Sequence, residues 1–151
     1  MRLFLVSITP SRSRPKSDPA AALADDYLAR ASRYVLSESQ TFPSESAFLY
    51  WLDRQATRTA PVLILLDSGG QQLNSEAFAA QLGHLRDADT QSIVFAIGPA
   101  DGWSPVVRTR ANLVVSFGLI TLPHELARAV LAEQIYRALT ILANHPYHSG
   151  H

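Results

Sequence analysis

Two uninterrupted apolar runs, Val62-Leu63-Ile64-Leu65-Leu66 and Ile93-Val94-Phe95-Ala96-Ile97, limit what this chain can fold into. Neither alternates polar with apolar residues, so neither suits a strand with one face in water. Both suit strands covered on both faces, as in a parallel sheet. Stretches with helical spacing lie around them, and that alternation demands an α/β architecture, a mostly parallel sheet with flanking helices. The first run ends in Asp67, and Ser68-Gly69-Gly70 then reads as a turn. The second closes on Gly98-Pro99-Ala100-Asp101-Gly102.

The other elements follow from the same periodicities. Arg2 to Thr9 reads as a strand and Pro10 to Pro19 as a loop. Asp18 to Tyr34 reads as a helix capped by Asp18, with Leu23, Tyr27 and Ala31 on one face. Val35 to Phe42 alternates weakly, as a second strand. Ser44 caps a helix to Thr57 that turns Phe48, Leu49 and Leu52 inward. Asn74 or Ser75 opens a helix to Arg86 with Phe78, Leu82 and Leu85 in register, and a short helix spans Ser104 to Arg110. Leu113-Val114-Val115-Ser116 is the last strand. Thr121 is placed to cap the long helix that follows, Pro123 suits its first turn, and the helix runs to Ala143. Ala127, Val130, Leu131, Ile135, Ala138, Leu139 and Leu142 mark one buried face, with Gln134 an exception. Leu126, Ala129, Tyr136 and Ile141 add apolar surface beyond that stripe, so the helix is deeply buried or paired.

Composition narrows the function classes. A chain of 151 residues reads as one domain, spanning 1–151, with a hydrophobic core. No run of about eighteen apolar residues is available to cross a membrane. The apolar start Leu3-Phe4-Leu5-Val6 is too short for a signal peptide, and cytoplasmic location is the expectation. Without cysteine there is neither disulfide nor thiolate chemistry. Thirteen basic and 13 acidic residues cancel, which by itself argues mildly against a nucleic-acid partner, although Arg12, Arg14 and Lys16 crowd one loop. His145 and His148 lack an adjoining acidic residue, so no metal site is expected. No GxGxxG, Walker or GxSxG motif appears, so dinucleotide, triphosphate and serine-hydrolase readings lack their fingerprints. His124 reads as structural, and Trp51 and Trp103 as core or interface residues. Glu133 and Arg137, four apart, read on their own as an exposed ion pair.

Ligands of open parallel sheets bind beyond the C-terminal ends of strands, and three glycine-bearing loops begin there, at Leu66, at Ile97 and at Ser116. After the last of them come Thr121-Leu122-Pro123-His124, Leu126-Ala127-Arg128, Leu131, Glu133-Gln134, Tyr136-Arg137-Ala138, Ile141 and Pro146-Tyr147-His148. This ordered set, with Ser116, resembles the C-terminal signature of the small SPOUT methyltransferases that methylate N3 of a pseudouridine in large-subunit (23S) ribosomal RNA. The likeness is close over roughly residues 60 to 148 and loose before that.

The resemblance implies a C-terminal trefoil knot whose loops bind S-adenosylmethionine, with Leu66, Gly98 and the run Phe117, Gly118, Leu119, Ile120, Thr121, Leu122 on the cofactor-contacting positions. It implies a homodimer with each site completed across the interface, and large-subunit rRNA in the ribosome as substrate. Placement and side-chain chemistry then suggest His148 as proton acceptor or orienter, Tyr147 for positioning the base, and Arg137 for phosphate or carbonyl contact. Four residues depart from the family pattern. Pro99 replaces a usual glycine and Gly118 a common serine, while Gln71 replaces a lysine and Ser149 a basic residue. Lost charge at Gln71 and Ser149 weakens phosphate contact, and Arg128, Arg137 and the Arg12/Arg14/Lys16 loop are the candidates to compensate. These departures keep a second reading open, a catalytically decayed relative that binds ribosome or cofactor.

Overall fold

A computed structural model describes residues 1–9 and 17–149; Arg12, Arg14 and Lys16 lie outside the described residues. Five parallel strands form one sheet in the order β2-β1-β4-β3-β5: β1 (Arg2–Ile8), β2 (Ser37–Phe42), β3 (Val62–Gln72), β4 (Ser92–Ile97) and β5 (Leu113–Ser116). The two apolar runs are the neighbours β3 and β4, in register from Val62 opposite Ile93 to Leu66 opposite Ile97.

Helices cover both faces, as continuous apolar strands require. Helices α1 (Pro19–Ala31), α3 (Ser75–Asp87) and α5 (His124–Leu142) pack on the face that carries Leu3, Leu5, Ile64, Ile93 and Phe95. Helices α2 (Glu45–Gln55) and α4 (Pro105–Arg110) pack on the other, against Phe4, Val6, Leu63, Leu65 and Val94. The expected N-caps Asp18, Ser44 and Asn74 each accept a backbone N–H of their helix.

Three expectations change. Ser68-Gly69-Gly70 is not a turn: β3 runs on to Gln72, and its pairing with β5 shifts register between Leu66 and Gln71. A Cβ on Gly70 would lie 2.7 Å from the Val114 carbonyl carbon, so the strands approach there only because Gly70 has no side chain. Secondly, α1 buries Ala24, Leu28 and Ala31 rather than the Leu23–Tyr27–Ala31 face, and Leu23 is exposed. Small residues let α1 lie close along α5, which leaves Tyr27 at the margin. Thirdly, Thr121 caps nothing. Pro123 is the N-cap of α5 and makes no side-chain bond.

Helix α5 is buried around much of its girth within one chain. Ala129, expected outside the stripe, is 2% exposed, as α1 and α3 flank the helix. Arg128 is also buried, its guanidinium donating to Asp25 Oδ1 at 2.9 Å and Ser39 Oγ at 2.7 Å. It clamps α5 to α1 and β2 and is not available to phosphate.

Candidate active site

The middle of β3 and the C-terminal ends of β4 and β5 converge on a cavity of about 480 Å³. Leu66, Gly98, Phe117, Gly118, Leu119, Ile120, Thr121 and Leu122, all the sequence-derived cofactor positions, line it together. Its size falls in the range of small-molecule sites, roughly 300–1,000 Å³.

Side chains around this cavity hold the backbone of its walls in place. The Trp103 indole N–H donates to the Leu66 carbonyl at 3.2 Å. A Cβ on Gly98 would come within 2.8 Å of the same indole, so Gly98 rests directly on the ring. Asp67 Oδ1 accepts from Gly69 N at 2.8 Å, Asp67 Oδ2 accepts from Arg108 at 2.7 Å, and Arg108 Nε donates to the Trp103 carbonyl. Trp103, Arg108 and Asp67 thus tie the middle of β3 to the end of β4. The Pro99 carbonyl accepts from Gly102 N at 2.9 Å, so the loop closes although Pro99 offers no N–H. On the third loop Ser116 Oγ accepts from Gly118 N at 2.9 Å, and Gly118 sits at φ 105°, a conformation L side chains resist.

These features fit S-adenosylmethionine. The cavity offers apolar walls for a flat ring and backbone groups at strand ends for its polar edge, and Gly98 and Gly118 let a ligand approach the chain closely. His124 lines the cavity as well. Both its ring nitrogens are buried without a hydrogen bond, and burial pushes its pKa down, opposed by the Glu125 carboxylate.

The tail residues come together elsewhere. Helix α5 ends in a Schellman motif: His145 N donates to the Thr140 carbonyl and Asn144 N to the Ile141 carbonyl, with Asn144 left-handed at φ 56°. His145 Nδ1 then accepts from Tyr147 N at 3.1 Å, and the chain folds back along α5. Arg137 donates to Glu133 Oε1 through Nε at 2.9 Å and Nη2 at 2.6 Å, and to His148 Nδ1 through Nη1 at 3.0 Å. Because guanidinium only donates, His148 Nδ1 is the acceptor, and Nε2 carries the hydrogen towards Glu76 Oε1 at 3.0 Å. Tyr147 donates its hydroxyl hydrogen to Glu133 Oε1 at 2.9 Å.

The Glu133–Arg137 pair is no surface ornament: its side chains are only 17% and 14% exposed. The Glu133 bond raises the pKa of Arg137, burial raises that of Tyr147, and the His148 bond lowers that of Glu76. Arg137, Tyr147 and His148 therefore form one network, and none of them lines the 480 Å³ cavity. Sequence reasoning missed Trp103, Asp67, Arg108, Glu133 and Glu76 as parts of the site. For Glu133 the four-residue spacing to Arg137 was the available signal. Glu76 is 72 residues from His148, and no local pattern announces it.

Comparison with known proteins gives concordant findings. The family described as "Predicted SPOUT methyltransferase" matches residues 1–148. A protein of Koribacter versatilis named ribosomal RNA large subunit methyltransferase H is 50% identical over 91% of this chain and 94% of its own length. One of the same name from Nitrobacter hamburgensis is 55% identical over 99% and 100%. Among solved structures, the SpoU methyltransferase AviRb of Streptomyces viridochromogenes, in complex with AdoMet, superposes with TM-score 0.52 at 14% identity. That match covers 94% of this chain and 60% of the longer one. A probable methyltransferase of Bordetella pertussis gives TM-score 0.54 at 14% identity, over 91% and 95% of the two chains.

Proposed function

The chain belongs to the SPOUT methyltransferase family, and from that premise we propose that it methylates N3 of a pseudouridine in 23S large-subunit ribosomal RNA, with S-adenosylmethionine as donor. The observation that carries the reading is the convergence of Leu66, Gly98 and Phe117 to Leu122 on one cavity beside the ends of β4 and β5. We assign these residues to the cofactor and Arg137, Tyr147 and His148 to the acceptor, with 1–151 acting as a single SPOUT domain knotted around the cofactor loops.

The cofactor supplies an activated methyl group on a sulfonium, so the protein's task is alignment and charge control. The N3–H proton of the acceptor leaves to water, the N3 electron pair bonds the methyl carbon, and the C–S pair stays on sulfur. Negative charge develops on the imide as that proton leaves, and Arg137, held charged by Glu133, stabilises it through a carbonyl oxygen. Tyr147 keeps its proton and positions the base. Of the two roles open to His148, the bond from Arg137 favours orienter, since its Nδ1 lone pair is already engaged.

The functional unit is a homodimer. Leu119 and Ile120, which line the cofactor cavity, are 86% and 82% exposed, and Leu126 in the first turn of α5 is 40% exposed. A second copy covers this apolar strip and completes each site. The protein acts in the cytoplasm on the assembled ribosome, because a chain with zero net charge gains little from phosphates alone and needs a preformed surface to dock on. Among the described residues no helix is long and apolar enough to cross a membrane. The decayed-relative reading is weaker, because the loops that carry Pro99 and Gly118 still line a cavity and Arg137, Tyr147 and His148 are all present and joined.

Methyl transfer to ribosomes and to protein-free rRNA, measured side by side with labelled donor, tests the proposal. Ribosomes are the expected substrate. Equal rates on free rRNA would remove the docking argument, and saturable donor binding without transfer to either would favour the decayed relative.

A further inference from the structure

Four of the chain's five tyrosines gather in one cluster. Tyr27 comes from α1, Tyr34 from the turn that follows it, Tyr136 from α5 and Tyr147 from the tail. Tyr136 is the hub, with ring centroids 6.0 Å from Tyr27, 6.4 Å from Tyr34 and 4.7 Å from Tyr147. The Arg30 guanidinium lies over Tyr27 at 5.2 Å, and that of Arg137 over Tyr147 at 4.9 Å. Tertiary packing makes this cluster, since Tyr27 and Tyr147 stand 120 residues apart.

Its outer edge is open and firmly held. Tyr34 is 38% exposed and Leu36 51%. Ser32 pins the turn that carries them: its Oγ donates to the Ser37 carbonyl and accepts from Ser37 N, both at 3.1 Å. Tyr34 N donates to the Ala31 carbonyl at 2.9 Å. Arg33 is exposed next to Tyr34 and makes no ion pair among the described residues, whereas Asp26 holds Arg30 and Glu133 holds Arg137. A ligand that fits this patch therefore brings flat apolar faces and negative charge together. An apolar protein face brings only the first and would strand the charge of Arg33. Unpaired RNA brings both, bases that stack on tyrosine and arginine planes and phosphates for Arg33. Stacking is also a contact that a chain of zero net charge can use.

We propose that this tyrosine–arginine patch binds unpaired rRNA nucleotides flanking the acceptor, with a base stacked on Tyr34 and a phosphate on Arg33. The proposal rests on the methyltransferase reading above and adds where the RNA beside the acceptor runs. Tyr147 belongs both to the patch and to the acceptor network. The patch thus accompanies the tail, and flanks the acceptor whichever protomer supplies the cofactor.

Equilibrium binding of the protein to ribosomes lacking the modification, measured over a range of salt, tests this. Tyr34→Ala should raise the dissociation constant about 10-fold, while Tyr34→Phe, which keeps the ring, stays near the unsubstituted value. Arg33→Ala should reduce the slope of log affinity against log salt by about 0.7, the share of one single-strand phosphate. Unchanged affinity in Tyr34→Ala, an equal loss in Tyr34→Phe, or an unmoved slope in Arg33→Ala would each overturn the proposal. So would a shift of either variant to monomer in sedimentation, which would make the patch a contact between copies. Should Tyr34→Ala fail to fold, Arg33→Ala, at an exposed position, decides by its slope. Methyl transfer is read on the same samples. Its absence from the unsubstituted protein would overturn the underlying reading, whereas transfer with silent variants would remove the patch alone.

Discussion

Trp103 lies under Gly98 with its indole N–H on the Leu66 carbonyl, so one side chain sets two walls of the cavity. Trp103→Phe keeps a ring beneath Gly98 and removes that bond. A neutral hydrogen bond is worth about 0.5–1.5 kcal/mol, so the dissociation constant for S-adenosylmethionine rises roughly 2–10-fold by calorimetry, with the fold retained. An unchanged constant would mean that the bond does not shape the cavity. His124 makes a second prediction. Burial lowers its pKa, with Arg128 reinforcing and Glu125 opposing, so the unfolded chain binds a proton that the folded chain resists. Its contribution to stability is full above the ordinary imidazole value of about 6.5 and is lost as pH falls from there towards the depressed folded value. Glu76 adds a slope of the same sign in the lower, carboxylate range. Thermal unfolding of His124→Phe should show a flatter pH dependence between neutrality and mild acid; an unaltered slope would remove His124 from the account.

At the scale of elements, the strands were readable because a strand buried on both faces leaves no polar alternation, and β3 and β4 carry such runs. The continuation of β3 past Leu66 was not readable. Ser68-Gly69-Gly70 has turn composition, yet Gly70 is there for the close approach of Val114, a contact made 44 residues on. On α1 the sequence reading placed Ala31 inward correctly, but the buried face continues through Leu28 and Ala24 rather than Tyr27 and Leu23, because Ala24 lets the helix lie close to α5. In the tail, Asn144-His145-Pro146 carries the composition of a left-handed helix stop, but its return onto Glu76 depends on tertiary structure. That return yields a prediction about His148. Asn presents an acceptor near the place of Nδ1, so His148→Asn keeps much of the activity that His148→Ala loses, because the side chain orients Arg137. An acid limb in the kcat profile that disappears in His148→Asn would show instead that the imidazole takes the proton.

For the whole molecule, the eight positions carried over by resemblance, scattered along the sequence, line one cavity together. The sequence motif did not show that the tail network stands apart from that cavity, because the gap is set by the packing of α5 between α1 and α3. The proposed dimer buries Leu119 and Ile120, and Ile120→Asp places a charge in that apolar contact. Sedimentation should show the substituted protein shifted to monomer with ribosome methylation lost; a dimer that persists undiminished would place the interface elsewhere. The central claim is the reaction itself. The most direct test is to incubate the protein and labelled S-adenosylmethionine with ribosomes lacking the modification, digest the large-subunit RNA, and identify the labelled nucleoside by mass spectrometry. The account predicts a single product, pseudouridine methylated at N3. A methyl found on a ribose hydroxyl, on another base or in another RNA would contradict it.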